Sequence, residues 1–204
     1  MKAIHRVGIL MFDGVEALDF AGPFEVFTTA TRMQARLAPG AAAPFEVRTV
    51  SRLGGTVQAR AGLVVQISHT FDDAPAFDVL LVPGGVVDTA LACDDTRAWI
   101  ARVAPACEIV ASVCTGAFLI AAAGVTGDAP LTTHWEDIAE LRDAWPELTV
   151  VEGVRWVEHG RVISSAGIAA GIDMSLHLVE RLAGRALAER TARQMDVRWM
   201  DTPS

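Results

Sequence analysis

Val7 to Phe12 is an unbroken apolar run ending in Asp13-Gly14, the pattern of a strand buried on both faces and closed by a turn. From Leu18 the apolar positions Phe20, Phe24 and Phe27 recur at helical spacing, with Pro23 placed in a first turn. The Ala/Pro/Gly stretch Ala38 to Pro44 reads as a loop, Phe45 to Val50 as a second strand, and Thr56 to Ile67 as a hairpin bent around Gly62. A strand at Asp78 to Val82 stops at Pro83-Gly84-Gly85, and Thr96 to Ala104 is helical. Ile109 to Val113 and Gly116 to Ala123 repeat that strand-then-helix order. Leu131-Thr132-Thr133 reads as a short strand, Val154 to Ile163 as an antiparallel hairpin turning at His159-Gly160, and Gly171 to Leu182 and Ala186 to Met195 as closing helices. Alternation of this kind predicts parallel strands joined by right-handed crossovers, an open sheet covered by helices on both faces.

Composition narrows this picture. With 204 residues, 51% of them hydrophobic, and no repeat or linker, the chain is expected to form one domain over residues 1–204. A formal charge of −8 provides no basic footprint for a phosphate backbone, so nucleic acid is not an expected partner. The late arginines Arg181, Arg185, Arg190, Arg193 and Arg198 alternate with Glu180 and Glu189 as on a solvated helix face. No apolar run approaches the roughly 18 residues of a membrane span, and Met1 to Arg6 lead straight into a strand without a signal peptide. Three cysteines without a secretory signal point to reduced thiols and a cytoplasmic location. A strand between Cys107 and Cys114 would hold them about 20 Å apart, too far for a disulfide.

Ligands of open α/β sheets bind beyond the carboxyl ends of the strands. Three features converge there: Cys114-Thr115-Gly116 after one strand, Pro83-Gly84-Gly85 after another, and Asp19 opening the first helix. A thiol just before a helix N-terminus feels the positive end of the helix dipole, which lowers its pKa and favours the thiolate nucleophile. The N–H groups of Thr115 and of the Gly84-Gly85 turn are candidate oxyanion donors. Cys114 read as a buried structural thiol, Asp19 as an N-cap and His134 as a hydrogen-bonded structural histidine are the alternatives. Cys93 and Cys107 lack the strand-end setting and read as inert. His5, His69, His159 and His177 stand singly, and no histidine pair has ligand spacing, so neither a metal nor any other cofactor is expected.

Five motifs occur in order: Leu18-Asp19-Phe20-Ala21-Gly22-Pro23 with Glu25-Val26-Phe27; Val82-Pro83-Gly84-Gly85; Ser112-Val113-Cys114-Thr115-Gly116-Ala117; Thr132-Thr133-His134-Trp135; and Gly167-Ile168-Ala169-Ala170-Gly171-Ile172-Asp173. Together they resemble the ThiJ/PfpI superfamily, of class I glutamine amidotransferase-like type, and within it the isonitrile hydratase branch and the amidase-like domain of AraC-type regulators. The resemblance implies a flavodoxin-like open, mostly parallel sheet with a nucleophile elbow. It also implies Cys114 as nucleophile, Asp19 as its acid partner, Thr115 as part of the site, Gly84 and Gly85 as oxyanion or substrate-binding donors, and His134 as a histidine near the cysteine. The implied reaction is hydration of an isonitrile, a small-molecule substrate, to an N-substituted formamide. The thiolate adds to the terminal carbon, proton transfer quenches the charge, and water releases product from a covalent thioimidate.

A homodimer is the assembly the resemblance implies. Two rival functions follow from the same resemblance. One is a ligand-sensing domain ahead of a helix-turn-helix; here only Asp196 to Ser204 follow the last expected helix, so no DNA-binding half is expected. The other is protease, amidase, glyoxalase or deglycase activity, which in the protease and glyoxalase types goes with a histidine directly after the cysteine, where this chain has Thr115.

Overall fold

The computed structural model describes residues 4–203; residues 1–3 and 204, the ends of the expected domain, lie outside the described residues. A seven-stranded sheet forms its middle, built from β1 (His5–Leu10), β2 (Phe45–Ser51), β5 (His69–Thr70), β6 (Val79–Val82), β7 (Ile109–Val113), β8 (Trp156–His159) and β9 (Val162–Ser165). The strand order is β5-β2-β1-β6-β7-β9-β8, parallel throughout except for the edge strand β8, which pairs antiparallel with β9. Strands β3 (Thr56–Gln58) and β4 (Val64–Gln66) make a separate two-stranded hairpin around Arg60–Gly62, as the sequence predicts.

Alternate residues of the central strands feed two cores because successive side chains point to opposite faces. Val7, Ile9, Val79, Leu81, Ile109 and Ala111 meet α1 (Ala17–Leu37), α6 (Ala170–Ala183) and α7 (Arg185–Gln194) on one face. Leu10, Leu80, Val82 and Val110 meet α3 (Asp94–Val103), α4 (Gly116–Ala122) and α5 (Ile138–Ala144) on the other, with α2 (Asp88–Ala92) beside them. Burial on both sides explains why these strands read as continuous apolar runs. The arrangement is the expected α/β, flavodoxin-like one.

Several local expectations are corrected. Pro23 stands inside α1 rather than in its first turn, so the N–H that would bond the carbonyl of Asp19 is missing. Helix α3 begins at Asp94, two residues before the expected Thr96, which makes Cys93 its N-cap residue. Thr132-Thr133 is not a strand: the Thr132 N–H donates to the Ser164 hydroxyl at 2.8 Å, and only Leu131 forms an isolated bridge, to Val150. Helices α2 and α5 and strand β5 went unread because they are too short to show a period.

Candidate active site

Strand β7 delivers Cys114 to the carboxyl edge of the sheet, and the backbone there turns sharply enough to put Cys114 at φ +56°. A non-glycine residue in that region is strained and holds only where its surroundings over-determine it. Here the Cys114 N–H donates to the Ser165 carbonyl at 3.1 Å, and the Cys114 carbonyl accepts from the Thr133 hydroxyl at 2.8 Å and from the Ala117 N–H at 3.2 Å. Gly116 completes the elbow, since a Cβ at that position would overlap the Val82 carbonyl on the neighbouring strand.

Asp19 arrives from the first turn of α1 and is fully buried. Its Oδ2 accepts from the Gly84 N–H at 3.1 Å, while Oδ1 has no hydrogen-bond partner. The Pro83-Gly84-Gly85 turn fits between Asp19 and the elbow: a Cβ on Gly84 would come within 2.6 Å of the Thr115 nitrogen and 3.0 Å of Asp19 Oδ2. The Thr115 hydroxyl reaches across to the same turn, accepting from the Gly85 N–H and donating to the Gly85 carbonyl, each at 2.9 Å. The Gly84 and Gly85 N–H groups expected as oxyanion donors are therefore already engaged, one by Asp19 and one by Thr115. The turn positions those two side chains instead.

Electrostatics corrects a second expectation. Burial pushes the Cys114 thiol up to about 12, the charge of Asp19 raises it further, and the Thr115 N–H and hydroxyl oppose the rise. Burial likewise pushes the Asp19 carboxyl up to about 7; the Gly84 N–H opposes that rise, nearby Glu16 adds to it, and the Cys114 thiol lowers it. Burial and the charge of Asp19 outweigh the Thr115 N–H at the helix start, so the thiol moves up rather than down. The pair pairs an un-ionised thiol with a carboxyl that titrates near neutrality. Cys107, buried in the other core, is also pushed up, to about 11. Cys93, read from sequence as inert, is half-buried, and its thiol is lowered by the Thr96 hydroxyl first, then by the Thr96 and Asp95 N–H groups and the charge of Arg52.

His134 stands in the segment whose Thr133 grips Cys114. Its ring rests on Gly167, where any Cβ would overlap it, and its Nδ1 accepts from the Glu136 N–H at 3.4 Å, capping the short turn Trp135–Asp137. Cys114, Asp19, Thr115 and Gly84 thus form one connected cluster, Gly85 joins it through Thr115, and His134 flanks it. Two residues escaped the sequence reading. Ser165 anchors the elbow from β9, and Asp137, 3.5 Å from His134 Nδ1, lies near enough to raise the Cys114 thiol. Asp137 carried one faint signal, its position three residues after His134. Among the described residues, no group of three or more His, Cys, Asp or Glu side chains is placed to hold a metal ion, and no helix is long and apolar enough to cross a membrane.

The DJ-1/PfpI family matches residues 5–181 of the chain. An isonitrile hydratase of Pseudomonas putida is 31% identical over 94% of this chain and 78% of its own length. The HTH-type transcriptional regulator GbdR of Pseudomonas aeruginosa is 28% identical over 90% of this chain, which spans 48% of that regulator. Among solved structures, a ThiJ/PfpI family protein from Pseudomonas syringae superposes with a TM-score of 0.82 at 26% identity, covering 94% of this chain and 74% of that one.

Proposed function

This chain belongs to the DJ-1/PfpI family, and from that premise we propose that it is a cysteine-dependent hydro-lyase that hydrates an isonitrile to an N-substituted formamide, working as the single domain expected over residues 1–204. The observation that carries the reading is the pairing of Cys114, strained at φ +56°, with a buried Asp19 whose carboxyl sits at about 7. A thiol at about 12 needs a base, and a carboxyl near the working pH is matched to take its proton and return it.

In the first half-reaction the Asp19 carboxylate takes the Cys114 proton as Sγ bonds to the terminal carbon of R–N≡C. The proton then passes to that carbon, which carries the displaced electron pair, and a thioimidate R–N=CH–S–Cys114 results. In the second half, Asp19 takes a proton from the attacking water and delivers it to nitrogen, forming R–NH–CH(OH)–S–Cys114. The carbon–sulfur bond breaks, the hydroxyl proton returns to sulfur through Asp19, and R–NH–CHO leaves. One water is consumed and no cofactor enters. Thr115 holds the Gly84-Gly85 turn against Asp19, and its N–H steadies the sulfur as charge develops there. His134 borders the substrate without taking a proton in this scheme.

Wild-type protein incubated with a panel of simple isonitriles should yield formamides detectable by NMR; no formamide from any of them rejects the hydratase reading. The similarity to GbdR supports a second reading, a ligand-sensing domain in which the same cluster binds without turnover. A ligand that shifts the melting temperature yet emerges unchanged would favour it. In either case we propose a homodimer, for which light scattering at micromolar concentration should report twice the 21.7 kDa chain mass.

A further inference from the structure

We propose that the cleft where the C-terminal ends of α1 and α7 meet is a second binding site, suited to the dianionic phosphate group of a small phosphomonoester. Met33, Arg36 and Leu37 of α1 line it together with Arg190, Arg193 and Gln194 of α7, around a volume of about 300 Å³, the lower end of the range for small-molecule pockets. Arg36 reaches from one helix to the other, its Nη1 donating to Gln194 Oε1 at 3.3 Å, so the two helix ends are joined at the cleft. The site is separate from the one already described. Asp19 stands in the first turn of α1 and Arg36 in its last, which puts about 25 Å of helix between them. Nothing in this inference depends on the hydratase reading.

Charge sets this cleft apart. The chain carries a formal −8, and the arginines just before the cleft on the same two helices are paired: Arg32 with Glu25 at 2.7 Å, and Arg185 with Glu180 at 3.3 Å, Glu189 at 2.8 Å and Asp201 at 2.6 Å. Among the described residues, Arg36, Arg190 and Arg193 form no ion pair, and Asp196, the next carboxylate along the chain, pairs with none of them. Cations at helix ends ordinarily answer the macrodipole, but each C-terminus presents only about half a negative charge, so about one guanidinium balances two of them. Three guanidiniums leave a surplus of about two positive charges, the complement of one dianion. A phosphate monoester carries that charge on three terminal oxygens, each able to accept from a planar guanidinium fork. Met33 and the exposed Leu37 provide apolar surface beside the cations for the carbon chain of the ester.

The test titrates n-butyl phosphate, di-n-butyl phosphate and pentanedioate into the full chain at low salt and pH 8, where the monoester is a dianion, and follows binding by calorimetry and phosphorus NMR. The monoester should bind about tenfold or more tightly than the singly charged diester, and rising potassium chloride should weaken it. Arg36→Gln, Arg190→Gln and Arg193→Gln should each weaken the monoester about three- to tenfold, whereas Arg48→Gln, on β2 away from the cleft, should leave it unchanged. Absence of monoester binding overturns the inference. An equal loss in Arg48→Gln also overturns it, by showing a diffuse response to net charge, and pentanedioate bound as tightly as the monoester overturns the phosphate assignment. A change of sedimentation in Arg190→Gln without loss of monoester binding would assign the cleft to a contact between two copies instead. Formamide production should be the same in all three cleft variants as in wild type, so the failure of this inference and the failure of the hydratase reading are read from different experiments.

Discussion

Cys114 and Cys93 both stand at the start of a helix, one turning into α4 and the other capping α3, yet their thiols move in opposite directions. Both feel the positive end of a helix. What differs is water and the sign of the neighbours. Cys93 is half-buried, close to the Thr96 hydroxyl and the Arg52 cation, whereas Cys114 is buried beside the carboxyl of Asp19. A helix N-terminus contributes roughly 1 kcal/mol to a nearby charge, less than desolvation removes from a buried one. The comparison teaches that standing at the start of a helix does not by itself fix which way a thiol moves: burial and the sign of the neighbouring charge decide it.

The largest expected effect breaks the pair apart by function. Cys114→Ser should abolish formamide production, and Cys93→Ser should leave it unchanged. Asp19→Asn should lower kcat/KM by about 10²- to 10⁴-fold, the usual contribution of a general base, with Asp19→Glu recovering part of it. A Cys93→Ser variant that loses turnover would reverse the assignment.

Next in size is a stability effect of opposite sense. The Asp19 carboxyl is raised from 3.8 to about 7 by burial, so the folded state holds a proton that the unfolded state releases. This destabilisation is absent below about pH 4, grows as pH rises toward 7 and is complete above it, reaching roughly 4 kcal/mol. Asp19→Asn should therefore be more stable than wild type in urea at pH 8 while being nearly inactive, and the two should converge below pH 4. A less stable Asn variant at pH 8 would show that the carboxylate is better satisfied than its unpartnered Oδ1 indicates.

The pH profile sharpens the same point. Wild-type kcat/KM should rise through about pH 7, where Asp19 ionises to the base form, and stay level above it until the thiol itself ionises near 12. A profile rising instead near 9, the ordinary value for a thiol, would mean that Cys114 titrates alone. Smaller still is the labelling contrast. Iodoacetamide at pH 7.5 should modify Cys93 before Cys114 and Cys107, and Thr96→Val should slow Cys93 about three- to tenfold by removing a hydrogen bond to the thiolate.

Much of this molecule was legible before any coordinates. The strands β1, β6 and β7 announced themselves because burial on both faces makes them largely continuous apolar runs, and the glycines at 84, 85 and 116 marked places where chains approach too closely for a side chain. Those same features located Cys114 and brought Asp19 to the same edge of the sheet. Short elements escaped because a period needs several turns to appear. Thr132-Thr133 was misread because β propensity describes a half-buried surface, while its polar groups serve the elbow by bonding Ser164 and the Cys114 carbonyl.

Sequence alone determined the sheet and its helical layers and singled out the candidate site residues, since hydrophobic period, glycine placement and residue chemistry are local properties of the chain. Only the tertiary structure decided their ionisation and their partners. Whether Gly84 donates to an oxyanion or to Asp19, and whether Cys114 or Cys93 carries the lower pKa, depends on solvent exclusion and on charges brought together from residues 16 to 137, and neither quantity exists until the chain has folded.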